Sequence, residues 1–212
     1  MKISKRLQTI ADNIPEGSNV IDVGCDHALL DIYLSLYKNC ICTATDINVG
    51  ALDQAKYNIA RFGVKNISLI LTDGLNGVNV NFDDVLVISG MGTSTIHHIL
   101  FEKELPKTII ISTHNEWEEL RKDVVSKGYR IKDEKFVEDN KKGYLIIIFE
   151  IGNDTYTEID YIYGPILKRN KDYLESLYNK AVETLERIPD DSIEKMEKEK
   201  RLNEIQSLLK DL

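Results

Sequence analysis

From Asn19 to about Ile151 the chain alternates short β-branched apolar runs with helix-length amphipathic segments, the pattern of a mostly parallel sheet flanked by helices. The runs Asn19–Val23, Ile41–Asp46, Ile67–Thr72, Asp84–Ser89 and Thr108–Ser112 are nearly all apolar, as strands covered on both faces must be. The rhythm then changes. Tyr129–Val137 and Lys142–Ile151 follow one another across a polar Glu138–Lys141 turn with no helix between them, which predicts an antiparallel C-terminal hairpin. The expectation is an α/β fold with a seven-stranded, mostly parallel sheet.

Helical patterns flank this region. Ile3, Leu7, Ile10 and Ile14 recur at helical spacing behind a Ser4 cap and end at Pro15-Glu16-Gly17, predicting a short helix packed on the sheet. After Gly152-Asn153-Asp154, Leu167, Leu174, Leu177, Tyr178, Ala181, Leu185 and Ile188 form one stripe. A second stripe contains Ile193, Met196, Leu202, Ile205, Leu209 and Leu212. Ile188-Pro189-Asp190-Asp191 separates them, with Asp191 and Glu194 spaced for a capping box, so the stripes predict an antiparallel helical pair. The domain reading is 1–155 for the α/β unit and 156–212 for the helical pair.

Composition narrows the function. At 42% hydrophobic and 29% charged over 212 residues, the chain reads as a globular protein. No apolar run approaches the roughly 20 residues of a membrane span, and no apolar stretch follows the basic Met1–Arg6 opening, so a cytoplasmic protein is expected. Cys25, Cys40 and Cys42 are an odd count without paired metal-ligand spacing, so reduced thiols and no metal are expected. His97 and His98, adjacent in a helical pattern, project about 100° apart and cannot chelate together. A net charge of −8 argues against indiscriminate nucleic-acid binding and leaves a local basic face as the alternative.

The candidate chemistry lies at strand ends. Asp22-Val23-Gly24-Cys25-Asp26-His27 joins the first strand to the first sheet helix, where a parallel sheet offers backbone N–H groups to a ligand. A dinucleotide fingerprint needs glycines where Asp26 and Leu29 stand, and a carboxylate beside a pyrophosphate is unfavourable. A cationic sulfonium with an amino-acid tail suits an acidic loop better. Asp46, 22 residues after Gly24, suits ribose hydroxyls, with Ile47 beside it, although an N-cap role is the competing reading. Asp73-Gly74 occupies the same place after the third strand, where an acid can accept from an adenine amine. In Ser89-Gly90-Met91-Gly92-Thr93 two glycines permit close backbone approach.

Ser4-Lys5-Arg6-Leu7-Gln8-Thr9, Asp22–Ala28, Asp73-Gly74-Leu75, Gly90-Met91-Gly92 and Gly164-Pro165-Ile166-Leu167 resemble, in order along the chain, the bacterial tRNA (adenine-N1)-methyltransferases that modify adenine 22. The resemblance implies a Rossmann-like class I methyltransferase domain with a coiled-coil-like helical domain, S-adenosyl-L-methionine as cofactor and tRNA as partner. It assigns Asp22, Gly24, Cys25, His27, Asp46, Ile47, Asp73, Gly74, Gly90 and Met91 to the cofactor. Asp26 becomes the catalytic candidate, facing the exocyclic amine of the reacting base. Lys5, Arg6, Gly92, His114, Asn115, Lys168, Arg169 and Lys171 are the candidates for tRNA contact, and a monomer is favoured. The chain departs from the family pattern at Cys25, Leu29, Asp31, Thr93 and Ser112-Thr113-His114-Asn115. The departures at Leu29, Thr93 and His114 motivate a second reading, a catalytically inactive methyltransferase-like protein that holds RNA or a partner. A small-molecule methyltransferase is the third, and it leaves the helical pair without a role.

Overall fold

A computed structural model describes residues 1–101, 104–113, 117–139, 142–189 and 192–212. The apolar runs form β1 (Asn19–Val23), β2 (Ile41–Asp46), β3 (Ile67–Leu71), β4 (Val85–Ser89) and β5 (Thr108–Thr113), followed by β6 (Tyr129–Asp139) and β7 (Lys142–Ile151). They make one seven-stranded sheet in the order β3-β2-β1-β4-β5-β7-β6. β1 to β5 pair in parallel, and β7 runs antiparallel between β5 and β6. This is the Rossmann-like arrangement expected of a class I methyltransferase. β1 and β4 lie side by side at the reversal of strand order, where such sheets open a crevice at their carboxyl ends.

Local chemistry sets the helix ends. Ser4 caps α1 (Lys5–Asp12) by accepting from the Leu7 N–H, and Asn48 caps α3 (Val49–Phe62) by accepting from Gly50. Gly63 then ends α3 in the left-handed conformation. α2 (Leu29–Lys38), α4 (Thr93–Phe101) and α5 (Trp117–Ser126) complete the layers. Ile10, Leu34, Val87, Ile110 and Ile146 meet in the core, which brings α1 and α2 onto one face of the sheet. Cys25, Cys40 and Cys42 are buried and unpaired.

Two expectations needed revision. β3 is the sheet's edge, not a strand covered on both faces, and Leu71 is exposed. The second helical stripe also breaks. α8 (Ile193–Lys210) buries Ile205, and nine residues at 100° each place Met196 on the opposite side, where it and Ile193 are exposed. Asp191 lies outside the described residues; Ser192 caps α8 by accepting from Lys195.

The chain divides into two compact units, Met1–Thr155 and Tyr156–Leu212. In the second, α6 (Glu158–Tyr163) opens with a Thr157–Asp160 capping box, and a single 3-10 turn at Leu167–Arg169 leads into α7 (Lys171–Leu185). α7 and α8 pack together, with the Gln206 amide donating to the Tyr178 hydroxyl over 3.1 Å.

In the first unit, the Arg121 Nε donates to Glu134 over 2.7 Å with both side chains fully buried. Removing one member of such a pair strands a charge, a cost of about 3–5 kcal/mol. Arg121→Met should therefore lower the unfolding free energy by about 3–5 kcal/mol in a denaturant titration, and Arg121→Met with Glu134→Gln should recover part of the loss. A single variant as stable as the parent would contradict this.

Candidate active site at the carboxyl ends of β1 to β4

The loop after β1 is tied to the end of β2. The Thr45 carbonyl accepts from the N–H groups of Gly24 at 2.8 Å and Cys25 at 2.9 Å. Gly24 needs its left-handed φ of +75°, and a Cβ there would lie 2.1 Å from the Met91 methyl. Asp26 and Ala28 also adopt positive φ, of 51° and 54°, conformations that cost an L-residue roughly 1–2 kcal/mol each. The Asp46 carboxylate helps hold them: Oδ2 accepts from the Asp26 N–H at 3.1 Å, and Oδ1 from the Asn48 N–H at 2.8 Å. Each oxygen keeps a further lone pair for a ligand. The ribose and structural readings of Asp46 are thus compatible, and the N-cap of α3 is Asn48 instead.

Gly24, Asp46, Ile47, Asp73, Gly74, Gly90 and Met91 line one cavity of about 230 Å³. Sequence reasoning missed Thr45, Thr72, Thr95 and Ile99 on its walls. Thr45 and Thr72 adjoin the acids that gave the signal. Ile99 had none, because an inward-facing apolar residue of α4 reads as core. Gly74 and Gly90 have positive φ, and a Cβ would come 3.1 Å from Ile99 and 3.3 Å from the Arg6 guanidinium respectively. Gly92 has neither constraint, so only one glycine of Gly90-Met91-Gly92 is needed for close approach.

Other candidates stand outside the cavity lining. Asp22 and Cys25 are buried beneath it. The Asp26 side chain is solvent-facing, 3.4 Å from the His27 Nε2. Arg6 donates to the Ser89 hydroxyl at 3.0 Å and lies over the Tyr144 ring, which brings it to the cavity rim, while the neighbouring Lys5 is exposed. Lys168, Arg169 and Lys171 belong to the second unit; Lys168 pairs with Asp160 at 2.5 Å, Lys171 lies 3.7 Å from Glu175, and Arg169 is exposed. His114 and Asn115 lie outside the described residues.

Beneath the cavity floor, two fully buried acids face each other. Burial and the neighbouring Asp31 charge hold the Asp22 carboxyl well above the ordinary carboxylate range, and burial raises Asp31 to about 6. Asp22 holds the proton more tightly and is the member of the pair able to donate toward Asp31, whose two carboxylate oxygens are buried with no other hydrogen-bond partner among the described residues. The folded chain thus binds more protons here than the unfolded one. Asp31's contribution to stability is fully present below its ordinary value of 3.8 and is lost as pH rises through about 6. Asp31→Asn should raise the melting temperature, by about 2–4 °C at pH 8 if the relief is about 1 kcal/mol, and by less at pH 4.5. An equal change at both pH values would contradict the pairing.

Among the described residues, no group of His, Cys, Asp and Glu is arranged to hold a metal ion, and no helix is long and apolar enough to cross a membrane. A family model described as a methyltransferase domain matches residues 3–147. The tRNA (adenine(22)-N(1))-methyltransferase of Bacillus subtilis is 32% identical over 159 residues, 72% of this chain and 67% of the relative. The structure of Mycoplasma capricolum TrmK with S-adenosyl-homocysteine superposes with a TM-score of 0.86 at 29% identity, covering 99% of each chain. Streptococcus pneumoniae Sp1610 in complex with S-adenosyl-L-methionine gives 0.88 at 27% identity, over 98% of this chain and 100% of that one. The sheet order, the strand-end cavity and these likenesses along nearly the whole length agree, and the chain belongs to the tRNA (adenine(22)-N(1))-methyltransferase family.

Proposed function

We propose that this chain transfers a methyl group from S-adenosylmethionine to N1 of adenine 22 in tRNA, using the cavity at the ends of β1 to β4. The observation that carries the reading is the convergence of Asp46, Asp73 and three left-handed glycines on one cavity. The residues fit the cofactor: the donor set is acidic, which suits a sulfonium and repels a pyrophosphate, and side chains at Gly24 and Gly74 would crowd the cavity walls. When bound, S-adenosylmethionine supplies an electrophilic methyl carbon on a positively charged sulfur.

In this reading the Asp46 carboxylate accepts from the ribose hydroxyls, and Asp73 accepts from the cofactor's adenine amine. The backbones of Gly24, Gly74 and Gly90 admit the ligand closely, with Ile47 and Met91 as apolar walls. Asp22, Cys25 and His27 act on the cofactor indirectly, by shaping the turn that presents Gly24. Asp26 faces outward, and in this reading it meets the exocyclic amine of the target base. The N1 lone pair of an unpaired adenine is already available, so the site need not remove a proton first. Its work is alignment and exclusion of water. Because N1 lies on the pairing edge, the base must be unpaired or flipped to reach it.

Lys5, Arg6 and Gly92 belong to the unit that carries the cavity, and Lys168, Arg169 and Lys171 to the helical unit, where they are the proposed phosphate contacts. Residues 1–155 then act as the cofactor-binding domain and 156–212 as an RNA-holding arm. The reaction is assigned to the cytoplasm and to a monomer, in keeping with a tRNA substrate.

Asp46→Ala should weaken S-adenosylmethionine binding about 10- to 100-fold in calorimetry, the loss of hydrogen bonds to a charged acceptor. Gly24→Val should weaken it at least as much, because valine tolerates neither the φ nor the Met91 contact. Unchanged affinity in both variants would place the ligand elsewhere. Asp26→Asn should lower turnover on unmodified tRNA about 100-fold while shifting cofactor affinity little, as expected for a group that stabilises developing charge on the base. Equal losses in turnover and affinity would assign Asp26 to loop structure alone.

A further inference from the structure

The outer face of α2 has the wrong polarity for a solvated helix. Leu29, Leu36 and Tyr37 are exposed there, Tyr37 by 52%, and half-buried Tyr33 shares the Leu29–Tyr37 stripe at i, i+4, i+8 spacing. The Tyr33 and Tyr37 rings lie 4.8 Å apart at 46°. α1 and the segment before it form the opposite wall. Together they enclose a second cavity of about 630 Å³, lined among others by Lys2, Lys5, Gln8, Tyr33, Tyr37 and Val137. The Gln8 amide donates to the Tyr33 hydroxyl over 3.0 Å and joins the two helices across its floor. Lys2 and Lys5 are exposed, and neither forms an ion pair among the described residues.

This groove adjoins the reaction site. Arg6, the residue after Lys5, reaches Ser89 and Gly90 at the rim of the first cavity, and α2 begins directly after the Asp26-His27-Ala28 turn. From Leu29 to Tyr37 the stripe runs about 12 Å along the helix. Aromatic rings beside unpaired cations, in a chain whose net charge is −8, match a strand that is apolar on its base faces and anionic along its backbone. An acidic or purely apolar partner would leave one of the two features unused.

The geometry points to a groove between α1 and α2 that holds single-stranded nucleotides flanking the methylated adenine, with Tyr33 and Tyr37 stacking on bases and Lys2 and Lys5 meeting phosphates. This rests on the tRNA methyltransferase reading and extends it by naming where the substrate strand runs. It also makes the unpaired state of the target base part of recognition, because a paired strand offers no base face to the rings.

The full-length chain is tested with an unmodified tRNA transcript and, separately, with S-adenosylmethionine. Tyr37→Ala should weaken tRNA binding about 5- to 100-fold, the range for loss of one stacked base, with Tyr37→Phe restoring it. The double variant Lys2→Gln with Lys5→Gln should reduce the slope of log affinity against log salt by about 1.4, two single-strand phosphate contacts, whereas Tyr37→Ala should leave that slope unchanged. Cofactor affinity should match the parent throughout, and circular dichroism should show each variant folded. If the parent binds and methylates tRNA but Tyr37→Ala and the double lysine variant bind it with unchanged affinity and salt slope, the groove serves something else, such as a protein, and the inference is overturned. A Tyr37→Phe variant as weak as Tyr37→Ala overturns the stacking role. A parent that binds S-adenosylmethionine but neither binds nor methylates tRNA overturns the underlying reading, and this inference with it.

Discussion

The site depends on one hydrogen-bonded junction, the Thr45 carbonyl that takes both the Gly24 and Cys25 N–H groups while the next residue, Asp46, takes Asp26. β1 and β2 are parallel neighbours in register, Val23 beside Thr45, so the end of one strand can anchor the turn leaving the other. That anchor offsets the cost of left-handed Asp26 and Ala28 and orients the α2 start. With the turn fixed, Gly24, Asp46 and Gly90 line one cavity, and Gly24 comes up against Met91.

Around this junction the protein gathers carboxyl groups. Asp22 and Asp31 share a buried space that only protonation makes tolerable, Asp46 and Asp73 border the cavity, and Asp26 stands outside it. Arg6 is the cation brought against this group, held by Ser89 and Tyr144. The acidic surroundings favour a positively charged sulfur and disfavour a phosphate, while Lys5 lies on α1 and Lys168, Arg169 and Lys171 lie in the helical unit.

Much of this was legible because parallel strands covered on both faces must be apolar and their ends must carry the polar chemistry. The runs beginning at Asn19, Ile41, Val85 and Thr108 reported both facts at once. β3 misled for the same reason: an apolar run signals strand but does not say whether a neighbour covers it, and Leu71 sits at an edge. In α8, helical spacing at each step let the stripe drift until Met196 fell opposite Ile205. Arg6 was legible as a cation but not as a rim residue, because its contact with Ser89 spans 83 positions that no local pattern joins. Asp31 was legible only as a departure from the family pattern; its pairing with Asp22 exists only once α2 lies on the sheet.

The most direct test is to incubate the full-length chain with labelled S-adenosylmethionine and an unmodified tRNA transcript, then map the label by mass spectrometry at nucleotide resolution. One methyl group per tRNA is expected, on N1 of adenine 22, and none when that adenine is replaced by guanine. Bound cofactor with no transfer, or transfer to another nucleotide, would contradict it.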